Sequence, residues 1–190
     1  QNQLPNVKQW IKIEDQSSPT SKTSYEILVQ DSHSVSRTAE RLPSDQLFIY
    51  TGGTTGLPKA VMWDHHNLRE ALLLAARAIG PVPENIEELK EKVLLVGPGE
   101  TMIPACPLMH GTGLLTAINA ICNGGTVVTL ESPSLDAPEI LHAIEKYKVN
   151  SITIVGDAFA QPILAELDKN EELYDLSSLN SVISSGVMWS

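Results

Sequence analysis

One feature restricts the fold of this chain more than any other. Short β-type runs alternate with stretches of helical period. Residues 47–51, 60–63, 93–96, 126–130, 151–155 and 179–183 read as strands, rich in β-branched, aromatic and aliphatic side chains. After the second run, Asp64 fits a helix N-cap. Leu68, Leu72, Ala75, Ala76 and Ile79 then recur at helical spacing until Gly80-Pro81 stops them. Residues 84–92 read as a short charged helix and 111–123 as a mostly apolar one. Residues 136–147 read as an amphipathic helix with Ile140, Leu141 and Ile144 on one face. Residues 156–168 read as a helix that Pro162 disturbs. Strands alternating with long helices predict an α/β fold, a mostly parallel sheet flanked by helices, with ligands off the carboxyl ends of the strands. The first 41 residues read differently, as a leading segment of strand and loop. Tyr25–Gln30 and part of residues 4–13 are its strand candidates, and 16–23 is a Ser- and Thr-rich loop.

Composition narrows the function. The 190 residues are 42% hydrophobic and 19% charged, enough apolar material for a core. A net charge of −10, from 23 acidic and 13 basic residues, argues against a nucleic-acid surface. An anionic ligand would need local donors or a metal ion. Cys106 and Cys122 lack the spacing of a metal site; they read as reduced core thiols, with one disulfide as the alternative. His65 and His66 are adjacent, point apart on a helix and have no third ligand at suitable spacing, so they predict no metal. The first ten residues carry no signal-peptide core, and no apolar run approaches about 20 residues. The expected compartment is the reducing cytoplasm, with peripheral membrane contact left open. Because the sequence opens at Gln1 and stops at Ser190 directly after a strand-like run, it reads as a fragment.

Residues 51–60, TGGTTGLPKA, concentrate glycine and threonine before a single lysine. Gly52, Gly53 and Gly56 would let backbone N–H groups approach an oxyanion. Thr51, Thr54 and Thr55 add hydroxyls, and Lys59 adds a mobile point charge. The run is neither the common P-loop, which needs Gly-Lys-Ser/Thr leading into a helix, nor Gly-x-Gly-x-x-Gly. On composition alone it reads equally as a phosphate cradle or as a glycine-rich hairpin turn.

Tyr50 to Lys59 resembles the signature loop of the adenylate-forming acyl-CoA synthetases, over ten successive positions. Gly52 stands where many members carry Ser, and Ala60 where most carry Gly. Val61-Met62-Trp63-Asp64-His65 resembles the segment after that loop. Cys106 to Gly113 resembles the Pro-x-x-His-x-x-Gly element on the acyl side of the site, and Gly124 to Val128 the strand that follows. Thr153 to Phe159 and Ser184 to Trp189 are similar to the bacterial fatty-acyl-CoA synthetases. By motif the likeness spans residues 42–190 and fades before Leu42.

The resemblance implies part of a large N-terminal AMP-binding domain over residues 42–190, with the phosphate loop between two strands. It implies activation of a fatty or related carboxylic acid by ATP and transfer to coenzyme A. Thr51, Gly52, Gly53, Thr54, Thr55, Gly56 and Lys59 would hold the ATP phosphates. Mg²⁺ would come with ATP, near Thr54, and no residue of the chain would ligate it directly. His110, Gly111 and Gly113 would line the acyl pocket, and Ser185, Gly186 and Val187 would lie against adenine and substrate. His110 also reads simply as a helix N-terminal residue, Val187 as a strand exit, and Asp157 as either a site residue or a helix cap. The family's Tyr-Gly-x-Thr-Glu element, ribose-binding Asp, hinge and C-terminal lid domain with its catalytic Lys do not occur before Ser190. The expectation is therefore that this chain alone does not complete adenylation. The alternatives are a non-catalytic nucleotide- or acyl-binding module, and an adenylation domain serving a carrier protein. The segments at 155–159 and 187–190 argue against the carrier-protein reading.

Overall fold

The computed structural model describes residues 10, 11, 13, 24–30, 40–52 and 57–187. The chain divides into two compact units, Gln1–Arg41 and Leu42–Ser190. In the first unit, Tyr25–Gln30 forms helix α1, not the strand that its apolar run predicts. The run YEILVQ is too short for periodicity to separate helix from strand. Ser24 decides the matter: its carbonyl accepts from Leu28 N–H at 3.1 Å, and its hydroxyl bonds the Glu26 carboxylate. The strand predicted in residues 4–13 and the loop at 16–23 fall largely or wholly outside the described residues.

The second unit holds two sheets. Strands β1 (Gln46–Thr51) and β2 (Lys59–Asp64) pair antiparallel, from Gln46 opposite Asp64 to Thr51 opposite Lys59. The other sheet has four parallel strands in the order β4-β3-β5-β6. These are β3 (Thr101–Pro104), β4 (Thr126–Val127), β5 (Ser151–Ile154) and β6 (Ser181–Ser184). The connecting helices are α2 (His65–Ile79), α3 (Ile86–Val96), α4 (Gly111–Cys122), α5 (Ala137–Tyr147) and α6 (Asp157–Lys169). The parallel sheet with flanking helices is the expected architecture.

Side-chain alternation sends the two faces of this sheet to different helices. Ile103, Ile152 and Ile154 pack with Ile140, Leu141 and Ile144 of α5, all at most 3% exposed, and with half-buried Phe159, Ile163 and Leu167 of α6. Each such side chain contributes about 1.5–3 kcal/mol on full burial. On the opposite face, Met102 packs with Ala117 and Ala120 of α4. At the amino edge Asn150 joins three strands. Its Oδ1 accepts from Thr101 N–H at 3.0 Å, its N–H donates to Thr101 O at 2.8 Å, and its carbonyl accepts from Asn180 and Ser181.

Three local readings change. Residues 93–96 are the last turn of α3, not a strand. Asn85 caps that helix by accepting from Glu87 and Glu88 N–H, and the Glu88 carboxylate bonds back to Asn85 and to Glu84 N–H. A helix so started runs through a four-residue apolar stretch until Gly97, whose φ is 90°. The central strand β3, by contrast, is a strand that the sequence reading passes over. Its Pro104 and the preceding Gly97-Pro98-Gly99 look like loop, yet Met102 and Ile103 are fully buried. Finally, α6 continues through Pro162, its packed face outweighing the one bond that proline removes.

Candidate functional site

The carboxyl edge of the parallel sheet gathers three loops. After β3 the chain turns at Cys106–His110, with His110 N–H on Pro107 O at 2.9 Å. His110 then caps α4, and its Nδ1 accepts from Thr112 N–H at 3.2 Å. That cap uses the Nδ1 lone pair, so the ring N–H is on Nε2, as a donor. After β5 come Val155 and Gly156. After β6 come Ser185, Gly186 and Val187, all exposed. Gly156 N–H donates to Ser184 Oγ at 3.0 Å, which ties the second exit to the third.

Gly186 is where these loops meet. Its φ is 93°, a conformation that side chains disfavour. A Cβ there would lie 3.3 Å from His110 Cε1, 3.5 Å from His110 Nε2 and 3.4 Å from Val155 Cγ1. The structure thus brings His110 and Gly186 together, with Val155 as third wall. Gly111 is adjacent, and its nearest neighbour is Ile49 of β1, whose Cγ2 would lie 4.0 Å from an added Cβ. The space beside Gly113 is taken by the chain itself. A Cβ there would come within 2.9 Å of Cys106 O and 3.0 Å of its Sγ, so this glycine seats α4 on the preceding loop. Burial raises the Cys106 thiol's pKa above its ordinary value and disfavours the thiolate. Cys122 is exposed rather than in the core, and both thiols are free.

The glycine-rich run connects β1 to β2. Thr51 Oγ1 donates to Lys59 O at 3.2 Å, closing the stem. Gly52 is exposed, with no atom of the described residues within 4 Å of an added Cβ. Among the described residues the Lys59 ammonium forms no ion pair, which leaves it available to an anion. Gly53, Thr54, Thr55 and Gly56 lie outside the described residues. Downstream, Asp64 caps α2 as predicted, accepting from Asn67 N–H at 2.7 Å. That bond is the main cause holding its carboxyl below the ordinary 3.8. Asp157 is the first residue of α6, and Gly156 rather than Asp157 occupies the N-cap. Three residues that shape the site escaped the sequence reading as site residues: Ile49, Val155 and Ser184. Each lay inside a noted segment, and only the three-dimensional contact distinguishes it. Among the described residues no three His, Cys, Asp or Glu side chains group as a metal site, and no helix is long and apolar enough to cross a membrane.

The profile of the AMP-binding enzyme family matches residues 2–189, upstream well beyond Leu42, where the motif resemblance fades. The chain is 31% identical to the medium-chain acyl-CoA ligase Mig of Mycobacterium avium, over 98% of this chain and 34% of that ligase. It is 35% identical to a medium/long-chain-fatty-acid–CoA/3-oxocholest-4-en-26-oate–CoA ligase of Mycolicibacterium smegmatis, over 79% of this chain and 27% of that protein. The chain therefore spans about a third of the length of these relatives. The N-terminal domain of FACL13 from Mycobacterium tuberculosis superposes with a TM-score of 0.64, covering 93% of this chain and 41% of that one. At 20% identity that likeness speaks for the fold alone.

Proposed function

The chain belongs to the AMP-binding enzyme family, and on that premise we propose that it is part of an ATP-dependent fatty-acyl-CoA ligase acting in the cytoplasm. Residues 42–190 supply part of the AMP-binding domain and residues 1–41 lead into it. The substrates are a medium- or long-chain carboxylic acid, ATP and coenzyme A. The single observation that supports this best is the contact of His110 with Gly186 at the carboxyl edge of the sheet. There the His110 ring packs against the side of Gly186 that carries no side chain, so the loop before α4 and the loop after β6 come within reach of one ligand.

The chemistry is displacement at phosphorus and then at carbon. The carboxylate oxygen bonds to the α-phosphorus of ATP as the bond to pyrophosphate breaks. The coenzyme A thiolate then bonds to the acyl carbon and AMP leaves. Positioning and charge stabilisation supply most of the rate. In this reading Thr51, Gly52, Gly53, Thr54, Thr55, Gly56 and Lys59 wrap the β- and γ-phosphates. Among the described residues the Lys59 ammonium forms no ion pair and nothing lies within 4 Å of a Cβ added to Gly52, which fits that task. Mg²⁺ would come with ATP, near Thr54, and would neutralise part of the phosphate charge. His110 walls the acyl entrance, Gly111 and Gly113 keep the start of α4 close, and Ser185, Gly186 and Val187 face adenine and acyl group.

Exchange of labelled pyrophosphate into ATP tests the proposal in the longest natural form of the protein. Exchange that depends on medium- or long-chain acids is the expected result. A protein that binds ATP yet exchanges with no carboxylic acid would contradict it. Thiol transfer only to a carrier protein, with coenzyme A inert, would move the assignment to an adenylation domain.

A further inference from the structure

The face of β5 that α4 covers is polar where its reverse is apolar. Ser151 pairs with Met102, and Thr153 with Pro104, so their side chains share the face of Met102, which packs on Ala117 and Ala120. Ile152 and Ile154, on the reverse, join the α5 core. Ser151 and Thr153 are both 0% exposed, and among the described residues neither hydroxyl has a hydrogen-bond partner. Buried hydroxyls are nearly always paired, and each can both donate and accept. Two orphans in one row, beneath a helix that presents Gly113, Ala117 and Ala120, call for a partner that the protein does not supply.

The row also leads somewhere. Val155 has the same alternation as Thr153 and Ser151, and it walls the meeting point of His110 and Gly186. From that entrance Thr153 lies one strand repeat of about 6.6 Å inward and Ser151 a second repeat further. Resting on the ligase reading, we infer that this row pairs with oxygen carried along the acyl chain. The preferred acid is then a hydroxy or oxo acid, with Thr153 reading the nearer oxygen and Ser151 the farther. A plain alkyl chain would leave both hydroxyls unpaired. The layer is closed in this structure, so the acid enters by parting the small-residue face of α4 from β5.

The test compares acids of equal length, plain against hydroxy and oxo derivatives, by acid-dependent pyrophosphate exchange in the longest natural form of the protein. The unmodified protein should favour an oxygenated acid in kcat/KM by about tenfold or more. Thr153→Val, which keeps the shape and removes the hydroxyl, should abolish or reverse that ratio while KM for ATP stays the same. Ser151→Ala should shift it for oxygens placed farther along the chain, and serves alone if Thr153→Val does not fold. No preference in the unmodified protein overturns the inference. An unchanged ratio in the folded variants also overturns it, including the case in which they melt at higher temperature because the hydroxyls merely enclosed a water. Absence of exchange with every acid would instead sink the ligase reading beneath it.

Discussion

The four-stranded sheet and the β1–β2 hairpin belong to one compact unit and are built on opposite terms. In the sheet, β5 is buried along its whole length and its neighbours come from distant parts of the chain. In β1 and β2 of the hairpin only Ile49 is buried, and Phe48, Tyr50, Val61 and Met62 are exposed. Its pairing is local, since Thr51 and Lys59 sit opposite each other across the turn. The sheet therefore carries stability, and the hairpin presents a loop from a stem of modest stability. Elements that close over ligands are drawn from the low-stability end of a structure, and a strand pair with so little buried surface can shift at little cost to the core.

The contrast breaks most readily by truncation. Ile152→Ala should cost about 2–5 kcal/mol in denaturant unfolding, because it opens a cavity between sheet and α5. Val61→Ala, 43% exposed on the hairpin, should stay within about 1 kcal/mol. Equal losses would mean that the hairpin is as much core as the sheet. Next in size is Lys59→Ala. It should raise KM for magnesium-ATP about tenfold while stability stays within about 0.5 kcal/mol, as read by pyrophosphate exchange and melting. A loss of stability as large as the loss of ATP use would make the loop structural.

A smaller effect comes with pH. The Asp64 carboxyl is held below its ordinary 3.8, chiefly by Asn67 N–H. A depressed folded value means that its contribution is present above the unfolded value and lost as pH falls through the folded one. Helical circular dichroism from about pH 6 to about pH 2 should therefore show a loss that Asp64→Asn lacks, since the amide still caps but does not titrate. Identical profiles would remove Asp64 as the joint between hairpin and α2. The smallest effect is chemical. A thiol reagent should modify Cys122 quickly and Cys106, 2% exposed, only on unfolding.

The same contrast explains what the sequence disclosed. The hairpin and the exit loops stand out in the sequence because their composition is unusual: glycines in a row, a lone lysine, His110 before a glycine-rich helix start, Gly186 at a left-handed turn. The interior is legible where its period is long, as in α5. It fails where tertiary context decides. The apolar residues 93–96 extend a helix because Asn85 and Glu88 have already started one. Thr101–Pro104 becomes the middle of the sheet because two neighbours pair with it, a fact with no local signal. The hydroxyls of Ser151 and Thr153 look unremarkable in a strand-like run, and only the register shows that both lie under α4.

Asn150 sets a timetable for biosynthesis. Its bonds reach back to Thr101 and forward to Asn180 and Ser181, so the amino edge of the sheet is complete only when the last of these residues has emerged from the ribosome. Until then β5 has one open side, an unpaired strand rich in isoleucine that invites pairing with another nascent chain. A pause in translation while β5 is outside the ribosome and residues 180–184 are still inside it would lengthen that exposure and lower soluble yield, although the finished protein would be unchanged.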